Sequence, residues 1–209
     1  ITVGEAIKDL PFISSSEGYD ASPDKLIYNE IELSDYQKRM RKGGKGIYNH
    51  ISMKHTPRLI ERFKHIPVGG SLLDVPQEHG QRARNGFDLD KKARFKMNNQ
   101  RLDPNKISHC VTASFQSTFV HPAMNRNLTA REGARLQSFP DKFIFKGPRT
   151  LMSKSLLIRE NRENEIGLSQ YNQIGNSVPP LLAKAIGSSV FISFKNKVND
   201  TTRTTNVFA

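Results

Sequence analysis

A single cysteine, Cys110, occurs in 209 residues. One thiol excludes an internal disulfide and any cysteine-rich zinc site. It fits a reducing, intracellular and cytoplasmic setting. No metal ligand set is assigned. No unbroken apolar run reaches the roughly 18 residues that cross a bilayer, so no membrane partner is expected. The opening segment ITVGEAIKDLPF has no basic flank leading into a long apolar core, which excludes a secretory signal. It also lacks an initiator Met, as expected of a chain that is processed, cut from a longer product or incompletely recorded. There is no internal repeat.

What is present suffices for a core. Apolar residues make up 36% and charged residues 25%, polar for a globular enzyme but enough for one domain or two small ones. The net charge of +12 is unevenly spread. Residues 1–37 hold 2 Lys/Arg and 8 Asp/Glu, a balance of −6. Residues 38–106 hold 17 and 6, a balance of +11, and residues 107–209 hold 13 and 6, a balance of +7. A basic middle behind an acidic head suggests a polyanion such as DNA or RNA. The alternative is the solvated surface of a basic protein.

Along the chain, Val3, Ala6, Ile7 and Leu10 recur at helical spacing before Pro11. Residues 14–50 are polar, with SSSEG and RKGGKG as loop signals. Thr56-Pro57 reads as an N-cap followed by proline at the first helical position, and Leu59, Ile60 and Phe63 give that helix an apolar face ending near Pro67. Residues 70–100 read as irregular. CVTASF and STFVH are β-branched and aromatic runs expected to form two strands, with Cys110 a small core residue in the first. Thr129 and Glu132 have capping-box spacing, which predicts a helix from about Ala130 to Ser138, ending before Phe139-Pro140. Losing such a cap typically costs about 1 kcal/mol. A polar connection with room for a short helix follows. Pro179 and Pro180 then open a last helix with Leu181, Leu182, Ala185, Ile186 and Val190 on its buried face, and the tail after Asn196 is expected to fray.

Ahead of that helix stands Gly175-Asn176-Ser177. Glycine permits close backbone approach, and Asn and Ser offer donors and acceptors. A turn of this kind suits a small polar or carboxylate-bearing ligand, and it equally suits an ordinary helix cap.

Three blocks resemble the DNA (cytosine-5) methyltransferases. QIGNSVPPLLAKAIG (173–187) is similar to that family's tenth motif, and RNLTAREGARLQSFPDKFIF (126–145) to its ninth. RLDPNKISHCVTASFQSTFVHP (101–122) resembles the segment leading into the ninth. TVGEAIKDLP (2–11) and NHISMKHTPRLIERFKHIPVGG (49–70) more weakly resemble the stretch after the eighth. Together they span nearly the whole chain. The family's Gly-rich S-adenosylmethionine loop, its Pro-Cys-Gln nucleophile and its Glu-Asn-Val motif have no counterpart here. Cys110 lies between His109 and Val111, and in QRARN (81–85) Ala83 stands where the eighth motif needs its first Arg. No catalytic residue is therefore assigned.

The resemblance implies an α/β fold: a small target-recognition domain of twisted strands and long loops, plus a C-terminal helix belonging to a doubly wound S-adenosylmethionine-dependent methyltransferase domain. Residues 1–11 would end a catalytic-domain region, 12–145 would bind DNA, 146–167 would connect, 168–195 would return to the catalytic domain, and 196–209 would form a flexible tail. Carried over by position, Asn176 and Ser177 would contact S-adenosylmethionine, and Gly175 would let the backbone approach the cofactor and a flipped cytosine. The implied partners are duplex DNA and a chain or segment carrying motifs one to eight. The base must leave the stack to be methylated, so the protein must hold a distorted duplex. Lys54, Arg58, Arg82, Arg84, Lys91, Lys92, Arg94 and Lys96 are the candidate DNA contacts. Arg131, Glu132 and Arg135 are expected to pair and pack inside the small domain. Two whole-chain alternatives are a second subunit of a split enzyme and a fragment of a single-chain one. A rival of another class is a non-catalytic, sequence-specific DNA-binding or regulatory module.

Overall fold

The first helix, α1 (Val3–Ile7), starts at a capping box in which Thr2 accepts from the Glu5 backbone and Glu5 returns a contact to the Thr2 N–H. Val3, Ala6, Ile7 and Leu10 are buried, as their spacing predicts. The Val3 and Gly4 N–H groups donate to the Lys106 and Pro104 carbonyls, which fixes the chain's start against a distant loop. The computed structural model describes residues 1–15, 25–82, 98–149, 154–163 and 169–205.

Strand content among the described residues is slight. The antiparallel pair β1 (Lys25–Leu26) and β2 (Ile47–Tyr48) aligns Lys25 with Tyr48 and Leu26 with Ile47. Between them lies α2 (Asp35–Arg41), begun by a Ser34/Gln37 capping box and burying Tyr36, Gln37 and Met40. Helix α3 (Pro57–Lys64) carries the expected Thr56 cap and Pro57 start. Its Phe63 joins Ile66, Leu72, Val75 and Val120 in a core cluster that Leu59 partly covers. Two single-turn 3₁₀ segments follow, Leu72–Asp74 and Gln77–His79. Strand β3 (Gln100–Arg101) pairs in parallel with β4 (Phe119–Val120).

The two strands expected near residue 110 are not formed as read. CVTASF is irregular up to Ser114, and α4 (Phe115–Thr118) takes up its last residue and the first two of STFVH, leaving only Phe119–Val120 extended. Cys110 is exposed rather than a core residue. The apolar burial in this stretch falls on Val111, Phe115, Phe119 and Val120, spaced for a tight turn rather than for alternation.

Helix α5 (Ala130–Leu136) has the predicted Thr129/Glu132 capping box. It ends in a Schellman arrangement. The Phe139 N–H reaches the Ala134 carbonyl and the Ser138 N–H reaches the Arg135 carbonyl, with Ser138 at φ 60°. Helix α6 (Lys154–Arg159) lies in the polar connection, and α7 (Gln170–Gly175) follows. Residues 1–177 form one compact unit, which holds the expected 1–11 and 12–145 segments together; residues 178–209 form a second.

The second unit contains α8 (Pro180–Thr205), which continues past Asn196, where the tail was expected to fray. Leu182, Ile186, Val190, Phe191, Ile192 and Phe194 are all more than half exposed, consistent with an apolar face that lacks its cover. The helical stretch Gln170–Asn196, interrupted at 176–179, is long and apolar enough by length and composition alone to cross a membrane. The expectation that no such stretch exists rested on unbroken apolar runs. Small polar residues punctuate this one while charges stay few.

Candidate functional site

An open cleft forms where α3 meets the chain around 81 and 98. Arg58, Gln81, Arg82, Asn98, Asn99 and Ser117 are among its lining residues. Arg58 donates to the Gly80 carbonyl at 2.7 Å, and Arg62 holds the same oxygen at 2.8 Å and the His79 carbonyl at 2.9 Å. Burial, and then the charge of Arg82, lower the Arg58 guanidinium from its ordinary range. Three like charges, Arg58, Arg62 and Arg82, and several amides thus line one opening, a suitable surface for phosphate and base edges. Of the predicted DNA contacts, Arg58 and Arg82 are brought together. Lys54 is exposed and does not line the cleft. Arg84, Lys91, Lys92, Arg94 and Lys96 lie outside the described residues.

Four other arginines are consumed inside the protein. Arg101 donates to the carbonyls of Phe63, Ile66, His121 and Met124 and to the Asn125 side chain, tying α3 to the loop after β4. Arg126 makes a two-pronged contact with Glu132 at 2.8 and 2.6 Å, both side chains being essentially inaccessible. Burial alone would raise the Glu132 carboxyl, but Arg126 outweighs it and holds the group well below the usual carboxylate range. Arg135 bridges Asp9 and Asp141, and Arg41 reaches Asp9 from α2 at 2.8 Å. Arg131 reaches the Tyr48 and Phe143 carbonyls and the Asn49 side chain, and burial pushes its guanidinium down to about 10. The expected internal pairing of Arg131, Glu132 and Arg135 is what the structure has.

Three histidines surround this network with burial favouring their neutral form, and His50 donates from Nε2 to a carbonyl. His121 Nδ1 accepts from the Ala123 and Met124 N–H groups, both at 3.1 Å, while Nε2 lies 3.7 Å from Glu132. His55 Nε2 accepts from the Asn127 N–H at 3.1 Å. His50 joins Thr129 Oγ1 to the Pro11 carbonyl. Burial lowers all three, His55 and His121 to about 4.

The turn at 175–177 is set on α7. Ser169 caps that helix, and the Tyr171 hydroxyl donates to the Leu128 carbonyl at 3.1 Å. Gly175 needs to be glycine for a reason visible within the chain: a Cβ there would fall on the Thr112 carbonyl and the Ala113 nitrogen. Asn176 is the C-cap of α7, and its exposed side chain has no hydrogen-bond partner among the described residues. The Ser177 hydroxyl donates to the Ile174 carbonyl at 2.7 Å and keeps acceptor capacity. The residues therefore suit a polar ligand: a free amide beside a hydroxyl, on a turn fixed from behind.

Sequence reading missed Asp9, Arg41, Asp141 and Gln137 as parts of this framework. The Ser34-x-x-Gln37 pattern was a readable start signal for α2, which carries Arg41. The carboxylates had no local signal, because Asp9 and Arg135 meet across 126 residues.

The model of the C-5 cytosine-specific DNA methylase family matches residues 5–191. Type II methyltransferase M.DdeI of Desulfomicrobium norvegicum is 47% identical over 192 residues, covering 92% of this chain and 43% of its own length. Type II methyltransferase M.AquIB of Picosynechococcus is 34% identical over 144 residues, covering 69% of this chain and 87% of its own. The chain thus spans less than half of the first relative and most of the second. A crystal structure described as a DNA modification methyltransferase encoded within an E. coli prophage aligns at a TM-score of 0.58 and 22% identity, over 91% of this chain and 46% of that one, a likeness of fold. With the family match running across most of its length, this chain belongs to the C-5 cytosine-specific DNA methylase family.

Proposed function

We propose that this chain is the target-recognition and cofactor-pocket-completing part of a DNA (cytosine-5) methyltransferase, which moves a methyl group from S-adenosylmethionine to cytosine in duplex DNA. The reading is supported chiefly by one observation: the Gly175-Asn176-Ser177 turn, in a segment that resembles the family's tenth motif, is braced from behind by the Thr112–Ala113 backbone, while the thiol of Cys110 stands between His109 and Val111 rather than in a Pro-Cys-Gln context. The reaction needs a thiolate or equivalent to add to the cytosine ring, so that the neighbouring ring carbon can accept a methyl group. The thiolate would come from a chain or segment carrying motifs one to eight, and would leave again as the methylated ring carbon gives up its proton.

Each region then has a part. The basic cleft, with Arg58 and Arg82, would hold the duplex by its phosphates. Base-edge contacts would come from the cleft's amides or from the basic segment with Arg84, Lys91, Lys92, Arg94 and Lys96. Asn176 would hydrogen-bond S-adenosylmethionine and Ser177 would accept from it, on the wall that Gly175 fixes. The bound cofactor supplies an electrophilic methyl group; this chain's residues orient it. The exposed face of α8 would pack on the missing catalytic domain. The rival reading, a non-catalytic DNA-binding module, has no use for a free amide on a braced turn.

The test is tritiated methyl incorporation into duplex DNA. The chain alone is expected to transfer nothing. Mixed with a chain carrying motifs one to eight of the same enzyme it is expected to restore transfer, and Cys110→Ala is expected to leave that activity intact. Asn176→Ala should weaken S-adenosylmethionine binding by about 0.5–1.5 kcal/mol while leaving DNA binding unchanged. Transfer by the isolated chain that vanishes with Cys110→Ala would overturn the reading.

A further inference from the structure

The turn at 175–177 is seated on three backbone groups of one short segment. Gln137, the C-cap of α5, is buried and directs its side-chain Nε2 at two carbonyls, Val111 at 3.4 Å and Ile174 at 3.3 Å. Asn172, on α7, donates to the Ala113 carbonyl at 3.1 Å. Between these ties, Gly175 lies directly against Thr112 and Ala113. The segment itself is anchored at its far end by Phe115. That ring lies against Gly133, where a Cβ would overlap it, and packs against Tyr171 at a tilt of 54° with centroids 4.8 Å apart. The Val111–Ala113 backbone is thus gripped from α5 on one side and α7 on the other.

One side chain spans the joint. An amide N–H₂ has two donors in a fixed plane, so it can serve both carbonyls at once. Without it, two partly buried carbonyls lose a donor, and Ile174 is the residue whose carbonyl also receives the Ser177 hydroxyl and the Ser177 N–H. A change at Gln137 therefore reaches Asn176 and Ser177 through a single shared acceptor.

We infer that Gln137 is a positioning residue for the cofactor turn: it locks α7 and the Val111–Ala113 seat to the end of α5, and so sets where Asn176 and Ser177 stand. This rests on the proposed assignment of that turn to S-adenosylmethionine. Gln137 touches neither cofactor nor DNA in this scheme. It acts by pre-organising residues that do, which is what separates a tightly held site from one with the right residues loosely placed.

Two measurements test it. The first uses this chain alone, comparing the parent with Gln137→Met, which keeps length and apolar volume but removes the donors. Amide hydrogen exchange at Asn176 and Ser177, whose N–H groups bond to Asn172 and Ile174, is expected to speed up about tenfold. Exchange at Gly133 within α5, whose N–H bonds to the Thr129 carbonyl, should hold, which controls for global unfolding. The second uses the assembled enzyme. Gln137→Met is expected to raise KM for S-adenosylmethionine about tenfold with kcat and KM for DNA little changed. Gln137→Glu, of the same shape but with oxygens facing carbonyls, should be worse than Gln137→Met. Unchanged exchange at 176–177, or an unchanged cofactor KM in an active assembly, would overturn the inference alone. A parent assembly that itself binds no S-adenosylmethionine would overturn the proposed function and this inference with it.

Discussion

Helices α5 and α8 occupy opposite ends of what burial can mean. α5 has seven residues, of which six are buried, and three of those six are ionised side chains. α8 has 26 residues and carries its largest apolar side chains in the open. By composition alone the assignment would be reversed, with the apolar helix inside and the charged one outside. The difference lies in what each helix finds within this chain. Every charge of α5 meets a partner from elsewhere in the first compact unit: Arg126 for Glu132, Asp9 and Asp141 for Arg135, carbonyls for Arg131. Ile186, Phe191 and Phe194 of α8 stay more than half exposed. Satisfied partners, more than apolar composition, separate the buried helix from the exposed one. The comparison can be broken at either end.

The largest effect should come from acid. His50, His55 and His121 are neutral in the folded chain because burial lowers them, the latter two to about 4. The unfolded chain takes up protons on each histidine near pH 6.5, so between 6.5 and 4 it binds more protons than the folded chain. Stability is then full above 6.5 and falls as pH drops toward 4, by up to about 1.4 kcal/mol per pH unit for each histidine. Arg126, Arg101 and Arg131 oppose protonation in this cluster, and Glu132 favours it. The Glu132 carboxyl, held low, loses its own contribution only as pH falls below the ordinary carboxylate range, outside the histidine window. Melting temperatures measured from pH 7.5 to 4.5 should fall steeply below 6.5, and less steeply in His121→Gln. A flat profile would mean that these rings are not held neutral.

Next in size is the buried pair. Arg126→Met leaves Glu132 charged and unpartnered in the interior, which costs about 3–5 kcal/mol. Adding Glu132→Gln removes the stranded charge and should recover part of that loss. Urea titration of the single and double variants measures both terms. A double variant no better than the single would place the cost in packing rather than charge. Smaller again is Gly133→Ala. Its methyl would overlap the Phe115 ring, a buried overpacking worth about 1–3 kcal/mol, although alanine is the better helix former. If Gly133→Ala raised the melting temperature, the wedge of Phe115 between α5 and α7 would be looser than its geometry indicates.

These outcomes bear on what could be read beforehand. Local signals were legible: the Thr129/Glu132 box, the Thr56-Pro57 start, the stop before Phe139-Pro140, and the buried spacing of Val3, Ala6, Ile7 and Leu10. The spacing of Leu182 and Ile186 marked a face suited to burial, and that face is exposed in this chain. The strands around Cys110 were misread, since Val111, Phe115 and Phe119 fit a one-turn helix as easily as a strand when only a few residues are in view. The basic balance of residues 38–106 overstated the outer charge, because Arg62 and Arg101 point at carbonyls inside. Nothing local distinguishes such a cation from the exposed Lys54. The partners lie 17 to 38 residues away and are backbone oxygens, which leave no mark in a sequence. Gly175 was legible as a close approach, but the Thr112 backbone that requires it was not.

The smallest effect belongs to α8. Ile186→Ser and Val190→Ser remove apolar surface that is already more than half exposed. Little burial is lost, and in the chain alone each should change stability by less than about 0.5 kcal/mol. The same pair of substitutions should have a different consequence in the assembled enzyme. If the catalytic domain covers this face, each large aliphatic side chain buried there contributes about 1.5–3 kcal/mol, and the double variant should fail to restore methyl transfer at concentrations where the parent succeeds. Chain-alone stability and reconstitution therefore separate for α8, whereas for Arg126→Met they should fall together. Sedimentation of the mixed chains reads assembly directly. If the double variant destabilises the isolated chain as much as Gly133→Ala does, then α8 is already covered by its own chain in solution, and the contrast with α5 disappears.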